Sequence, residues 1–405
     1  MEKIILEAKN TQIPLLFEHD DSLPVVNLKL IFKVAGSVAD SKMGLSRLCA
    51  RLLNEGTKEL GSNEYARLLE IKAIELHSSS GFETFSIELN CLKEHFSYAF
   101  SMLVKLLKDP NLTDDTLQKI KNIVKSQIAI NENEFDYLAG LELNKILHPD
   151  TPRANPTIGT YESIESIDLK DVEGFIKEYL NLANLYIVLA GDVKLEEIDF
   201  SKALYALEAG EKRELPQIST SDEKTFKEIK KNSEQAYIYF GAPFIIKKDD
   251  IYKANVASFI LGAGGFGSRL MEEIRVKRGL AYSIYARNNF ELSLSRITGY
   301  LQTKNENKEE AIAVIKEEFE KFIKDGVSED ELKSAKDFLV GSVSLTQETM
   351  FQRVNTKQDN FYKGYEFDEI SKRIKQIKEL TLDELNQFIK AHTEIGNLSF
   401  AVLSK

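Results

Sequence analysis

Residues Ile167–Val193 read IDLKDVEGFIKEYLNLANLYIVLAGDV, and residues Leu380–Lys405 read LTLDELNQFIKAHTEIGNLSFAVLSK. Each stretch starts on a polar helix-start signal and runs through a helix carrying Phe175 or Phe388. Each then closes on an apolar strand, Leu185 to Ala190 or Leu398 to Leu403. Phe175 and Phe388 lie 213 positions apart (388 − 175), as do Asn184 and Asn397 (397 − 184), so the register does not drift. The segments upstream agree: NLTDDTLQKIKNIV at 111–124 matches GVSEDELKSAKDFL at 326–339. A period near half the chain length is a duplicated domain, since a solenoid repeats every ~20–50 residues.

Each unit opens on strand-like alternation. Val26, Leu28, Leu30, Phe32 and Val34 fall on one face against Asn27, Lys29 and Lys33 on the other, and Ile238 and Phe240 take the same role in the second unit. Helices with start signals follow: Thr113-Asp114-Asp115 precedes Leu117, Ile120 and Val124 at helical spacing, and Ser328 to Glu331 is an S-x-x-E capping box. Gly210 to Asn232 is polar and charged, a natural boundary. The pattern predicts two homologous domains, each built of strands and helices. The divisions are 1–210, a linker at 211–232, and 233–405.

At 405 residues, 43% hydrophobic with 8 prolines, the chain reads as folded throughout. A net charge of -11 and a pI near 5.3 argue against nucleic acid as a partner, because phosphate binding needs a concentrated basic face. No apolar run approaches the ~20 residues of a membrane helix, and two cysteines, Cys49 and Cys91, make no disulfide framework. The first residues lack the apolar core of a signal peptide. These features predict a cytoplasmic protein with no membrane partner.

Gly44 to Thr57 reads GLSRLCARLLNEGT, with Leu45, Leu48, Cys49 and Leu52 on one helical stripe and Arg47 and Arg51 one turn apart beside it. This stretch resembles G-x-x-H-x-x-E-H-x-x-x-x-G-T, the inverted zinc-peptidase motif, at Gly44, Gly56 and Thr57. Arg47 and Arg51 stand at the two His positions and Ala50 at the general-base Glu. A guanidinium or a methyl group neither binds zinc nor takes a proton from water. None of the five histidines, His19, His77, His95, His148 and His392, pairs with another at helical metal-ligand spacing.

Together with the duplication and the segment GGFGSRLMEEIRVKRGLAYS at 264–283, this helix resembles the M16 family of zinc peptidases: pitrilysin and insulinase relatives, and more closely mitochondrial processing peptidase and its short bacterial homologues. The resemblance covers nearly the whole chain and implies an α+β fold of two homologous domains, each a mostly antiparallel sheet packed with helices. It implies a third ligand position at Gln127, 76 residues past Arg51 (127 − 51), on a helical face shared with Ile120 and Val124 and so predicted to point inward. It also implies that Arg275 and Tyr282 bind substrate, where guanidinium and phenol can donate to a peptide carbonyl or the oxyanion formed on it. The alternative for that pair is a surface Arg bound to Glu272 or Glu273 and a half-buried Tyr starting a strand. For Arg47 and Arg51 the alternatives are acidic-substrate or partner contacts, or solvated charge with Arg51 paired to Glu55.

The strand Phe82 to Leu89, reached through His77-Ser78-Ser79-Ser80, offers an edge that could take an extended peptide by strand addition, or is an ordinary sheet strand. Gly262 to Gly267 matches G-x-G-x-x-G, but helical spacing precedes it, so it reads as a turn between helices. The leading functional reading is the non-catalytic subunit of a heterodimeric M16-type peptidase. Its partner is a homologous chain with an intact H-x-x-E-H motif, which alone holds zinc; this chain needs no cofactor. The alternatives are an inactive homodimeric peptide-binding or scaffold protein and a self-sufficient metallopeptidase.

Overall fold

The computed structural model describes residues 1–405, which form two compact units. The first comprises Met1–Ile130, Asn155–Pro216 and Thr349–Tyr362; the second comprises Asn131–Ala154, Gln217–Glu348 and Lys363–Lys405. The units are therefore not consecutive in sequence, unlike the division at 1–210 and 233–405. The chain passes from the first to the second at Pro216, within the polar 211–232 stretch, but one short segment of each half belongs to the other half's unit.

In the first unit, strands β1 (Glu2–Ala8), β2 (Thr11–His19), β3 (Val25–Lys33), β4 (Glu75–Ser80), β5 (Thr84–Leu92) and β6 (Leu185–Gly191) form one sheet in the order β1-β2-β6-β3-β5-β4. In the second, β7 (Phe226–Lys230), β8 (Gln235–Pro243), β9 (Ala281–Phe290), β10 (Ser295–Lys304) and β11 (Ser399–Ser404) follow the order β7-β11-β8-β10-β9. The two orders coincide once β1 is set aside. Each sheet has a single parallel pairing, β2 with β6 and β7 with β11, and is antiparallel elsewhere. The central strands β6 and β11 are buried along their whole length, as their unbroken apolar sequence requires.

The alternation in β3 places Leu28, Leu30 and Phe32 in the main core, as the spacing predicts. Its opposite face is not solvated, however: Asn27 is 0% and Lys29 9% exposed. The helix Met350–Tyr362 lies against that face, with Lys29 Nζ donating to Asn355 Oδ1 at 2.7 Å and Tyr186 of β6 packed on Phe361 at 5.2 Å. The second unit uses the same device. The helix Phe135–Leu147 covers the outer face of its sheet, where Phe135 meets Tyr237 edge-on at 5.6 Å and Leu143 and Leu147 cluster with Ala401. The capping box at Ser328 forms as predicted, with Ser328 N donating to Glu331 at 2.8 Å and Arg269 adding a forked ion pair at 2.5 and 2.8 Å.

Candidate functional site

The Gly44–Thr57 stretch folds as the helix Leu45–Leu53 followed by a tight turn. Gly44 sits at its N-cap with φ +88°, where a Cβ would come within 2.6 Å of Ile158 O; Gly56 has φ +75°, and a Cβ there would strike the Tyr65 ring. Asp40 closes the helix start by accepting from Gly44 N at 2.9 Å and Ser46 N at 2.7 Å. Burial pushes the Asp40 carboxyl up to about 6 despite these donors. The glycines that define the motif are thus kept by packing.

Arg47 is exposed and donates to Thr157 Oγ1 at 3.1 Å. Arg51 is half-buried and does not pair with Glu55. The Glu55 carboxylate is taken by Lys119 at 2.6 Å and Ser62 at 2.5 Å, a tertiary competition that the i,i+4 spacing could not reveal. Ala50 is 3% exposed, so the base position is filled by core packing. Gln127 lies half-buried on the helix Asp114–Asn131, beside the buried stripe of Leu117, Ile120, Val124 and Ile128. The donor set does not fit zinc: two ligand positions are cationic, the third is an amide, and the base position is a methyl. No group of three His, Cys, Asp or Glu side chains is arranged to hold a metal ion elsewhere in the chain.

Of the two readings of Phe82 to Leu89, the ordinary sheet strand holds. The segment around Phe82–Leu89 forms the interior strand β5, and the free edge belongs to β4, which includes His77 to Ser80. That edge is partly occupied. Asn54, one turn beyond Arg51, donates from Nδ2 to Ser78 O at 3.0 Å and accepts from Ser78 N at 2.7 Å, satisfying the backbone as a neighbouring strand would.

In the second unit, Gly262 to Gly267 is a turn between helical segments, as the spacing predicted. Two π-helical stretches flank it, Phe259–Ala263 and Glu272–Lys277, a geometry that concentrates at functional positions. Arg275 lies in the second. Its guanidinium is held between two rings, 4.5 Å from Phe266 and 4.3 Å from Tyr282. It forms no ion pair with Glu272 or Glu273; Glu273 is engaged by Lys277 and Arg278. Tyr282 is the second residue of β9 but is 81% exposed, and Phe266 is 67% exposed. The sequence reading missed Phe266, whose only signal was its place in a glycine turn within sight of the Arg/Tyr pair.

Taken together, these features define a duplicated zinc-peptidase scaffold without the peptidase's metal-binding side chains. Residues 15–161 match Insulinase (Peptidase family M16), and residues 166–339 match the Peptidase M16 inactive domain. A Helicobacter pylori protein called non-peptidase homolog YmxG is 43% identical over 403 residues, covering 98% of this chain and 93% of that one. The chain belongs to the M16 peptidase family. A Bacillus subtilis relative called uncharacterized zinc protease YmxG is 25% identical, covering 85% of this chain and 84% of its own length. The solved structure of a peptidase M16 inactive domain from Pseudomonas fluorescens matches with a TM-score of 0.90 at 24% identity, over 100% of this chain and 98% of that one. A protease from Helicobacter pylori matches with a TM-score of 0.83 at 16% identity, over 100% of both chains. The fold of this chain is the fold of these proteins. No helix is long and apolar enough to cross a membrane.

Proposed function

We propose that this chain is the non-catalytic member of a two-subunit M16 peptidase, donating Arg275 and Tyr282 to a peptide held at the zinc site of a homologous partner that carries H-x-x-E-H. The observation that carries the reading is the Phe266–Arg275–Tyr282 stack: an exposed phenol and a guanidinium free of any protein carboxylate. An Arg braced by two rings keeps its N–H groups directed outward without a competing acid, and Tyr282 adds a hydroxyl donor. Such donors stabilise the charge that develops on a peptide carbonyl. At its own motif, Arg47, Ala50 and Arg51 supply neither ligand nor base. The purified chain alone is expected to bind no stoichiometric zinc and to cleave no peptide.

The test is cleavage of an unstructured peptide by the chain mixed with an H-x-x-E-H homologue, with assembly followed by size-exclusion chromatography. Tyr282→Phe removes one donor and is expected to lower kcat by about 10²–10³ while the complex stays assembled. Arg275→Ala is expected to lower turnover as well. Unchanged cleavage in both variants overturns the donated-residue reading and favours an inactive homodimeric scaffold.

A further inference from the structure

The second unit contains a cleft of about 360 Å³ that lies outside the Arg275–Tyr282 stack. Ile246, Ile251, Phe290 and the Tyr365 ring make its apolar wall, and its volume falls in the range of small-ligand sites. Its polar groups converge with one sign. Lys248 Nζ lies 4.2 Å from the Tyr365 ring centroid and donates to Gly364 O, and the Arg373 guanidinium lies 4.6 Å from the same centroid. Arg373 is steadied by Glu369, which accepts from its Nε at 3.2 Å and leaves the outer Nη groups unengaged. Asn255 accepts from Asn288 Nδ2 at 2.7 Å through Oδ1, so its own amide N–H groups remain available. The single acid on the wall, Glu291, is neutralised by Arg153 at 3.0 Å.

Three cationic residues, Lys248, Lys363 and Arg373, and an amide donor line this cleft, which in a chain of net charge -11 runs against the overall charge of the protein. Lys248 and Arg373 each lie against the Tyr365 ring, so like charges gather along one cleft and repel each other. An anion bound in the cleft would relieve that repulsion while its body covers the apolar wall. We infer that this cleft binds a carboxylate carried on an apolar or aromatic body. The C-terminal residue of a peptide and a free aryl carboxylate both present that chemistry.

The experiment is calorimetric titration of the full chain with acetyl-Ala-Phe bearing a free carboxylate, with the same dipeptide as its C-terminal amide, and with 3-phenylpropionate. The carboxylate dipeptide is expected to bind about tenfold more tightly than the amide, one charge-assisted contact being worth roughly that factor. Lys248→Gln and Arg373→Gln are each expected to weaken it by at least about threefold. Both side chains are partly solvated, so these variants should fold, which circular dichroism and the melting temperature verify. Binding of 3-phenylpropionate equal to the dipeptide identifies a small-molecule site; clearly tighter dipeptide binding identifies a peptide C-terminus. Equal affinity for acid and amide, affinity unchanged in both folded variants, or no binding of either carboxylate at about 5 mM overturns the assignment.

Discussion

Ala50 carries the methyl group that stands where a general base would be, and at 3% exposure it is sealed by its neighbours. Replacing it with Glu would place a carboxylate in that packing without a partner. Ala50→Glu is expected to cost about 1–3 kcal/mol in urea unfolding; a neutral change would mean that the position opens to solvent. Arg47 and Arg51 differ from Ala50 in lying at or near the surface, and neither pairs with a carboxylate: Arg47 donates to Thr157, and Lys119 holds the Glu55 that spacing offered to Arg51. Arg275 also lacks a carboxylate partner, but two aromatic rings brace it. The motif positions were legible in sequence because their spacing is local. The partners of these side chains were not, because Lys119 and Phe266 reach them through tertiary packing.

At the scale of elements, the end of the Leu45–Leu53 helix and the edge of β4 act as one piece through the paired Asn54–Ser78 hydrogen bonds. Each bond contributes on the order of 1 kcal/mol net, and losing the side chain leaves a strand position without its partner. Asn54→Ala is therefore expected to lower stability by about 1–2 kcal/mol in thermal or urea unfolding. An unchanged melting temperature would show that water replaces the amide at no cost. Which strand forms the edge was not legible in sequence, because β4 is short and polar, with Ser78, Ser79 and Ser80 in sequence, whereas β5 alternates cleanly. Alternation reports that a strand has one buried face; it does not report the strand's place in the sheet.

Across the whole molecule, two titrating groups, the half-buried Asp40 and the buried His148, act in opposite senses, one in each unit. Asp40, in the first, is raised from 3.8 to about 6 by burial. Between those values the folded chain holds more protons than the unfolded chain, so this contribution falls as pH rises from about 4 to 6. His148, in the second, is lowered from 6.5 to about 4, chiefly by burial and then by the Arg296 guanidinium, which donates to Nε2 at 2.8 Å. Over that window the unfolded chain holds more protons, so stability rises with pH. Each shift corresponds to roughly 3 kcal/mol, and the two largely offset between pH 4 and 6. Asp40→Asn is expected to expose the His148 effect, making the chain more acid-labile by about 2–3 kcal/mol between pH 7 and 4.5 in urea unfolding, whereas His148→Gln should shift that difference the other way. An unchanged pH dependence in Asp40→Asn would contradict the assignment. The sequence by itself determined the duplication, the α+β class, the strand alternation, the capping box and the replacement of the zinc-motif residues. The duplication rests on a repeat at a fixed 213-residue offset and the α+β class on the family resemblance, whereas the others rest on periodicity or spacing within a few turns or strands of chain. Only the tertiary structure decided that the segments at 131–154 and 349–362 exchange units and bury the sheet faces that alternation left polar, and that Arg275 stacks between Phe266 and Tyr282. Those outcomes depend on contacts between residues far apart in the chain, whose pairing no local pattern encodes.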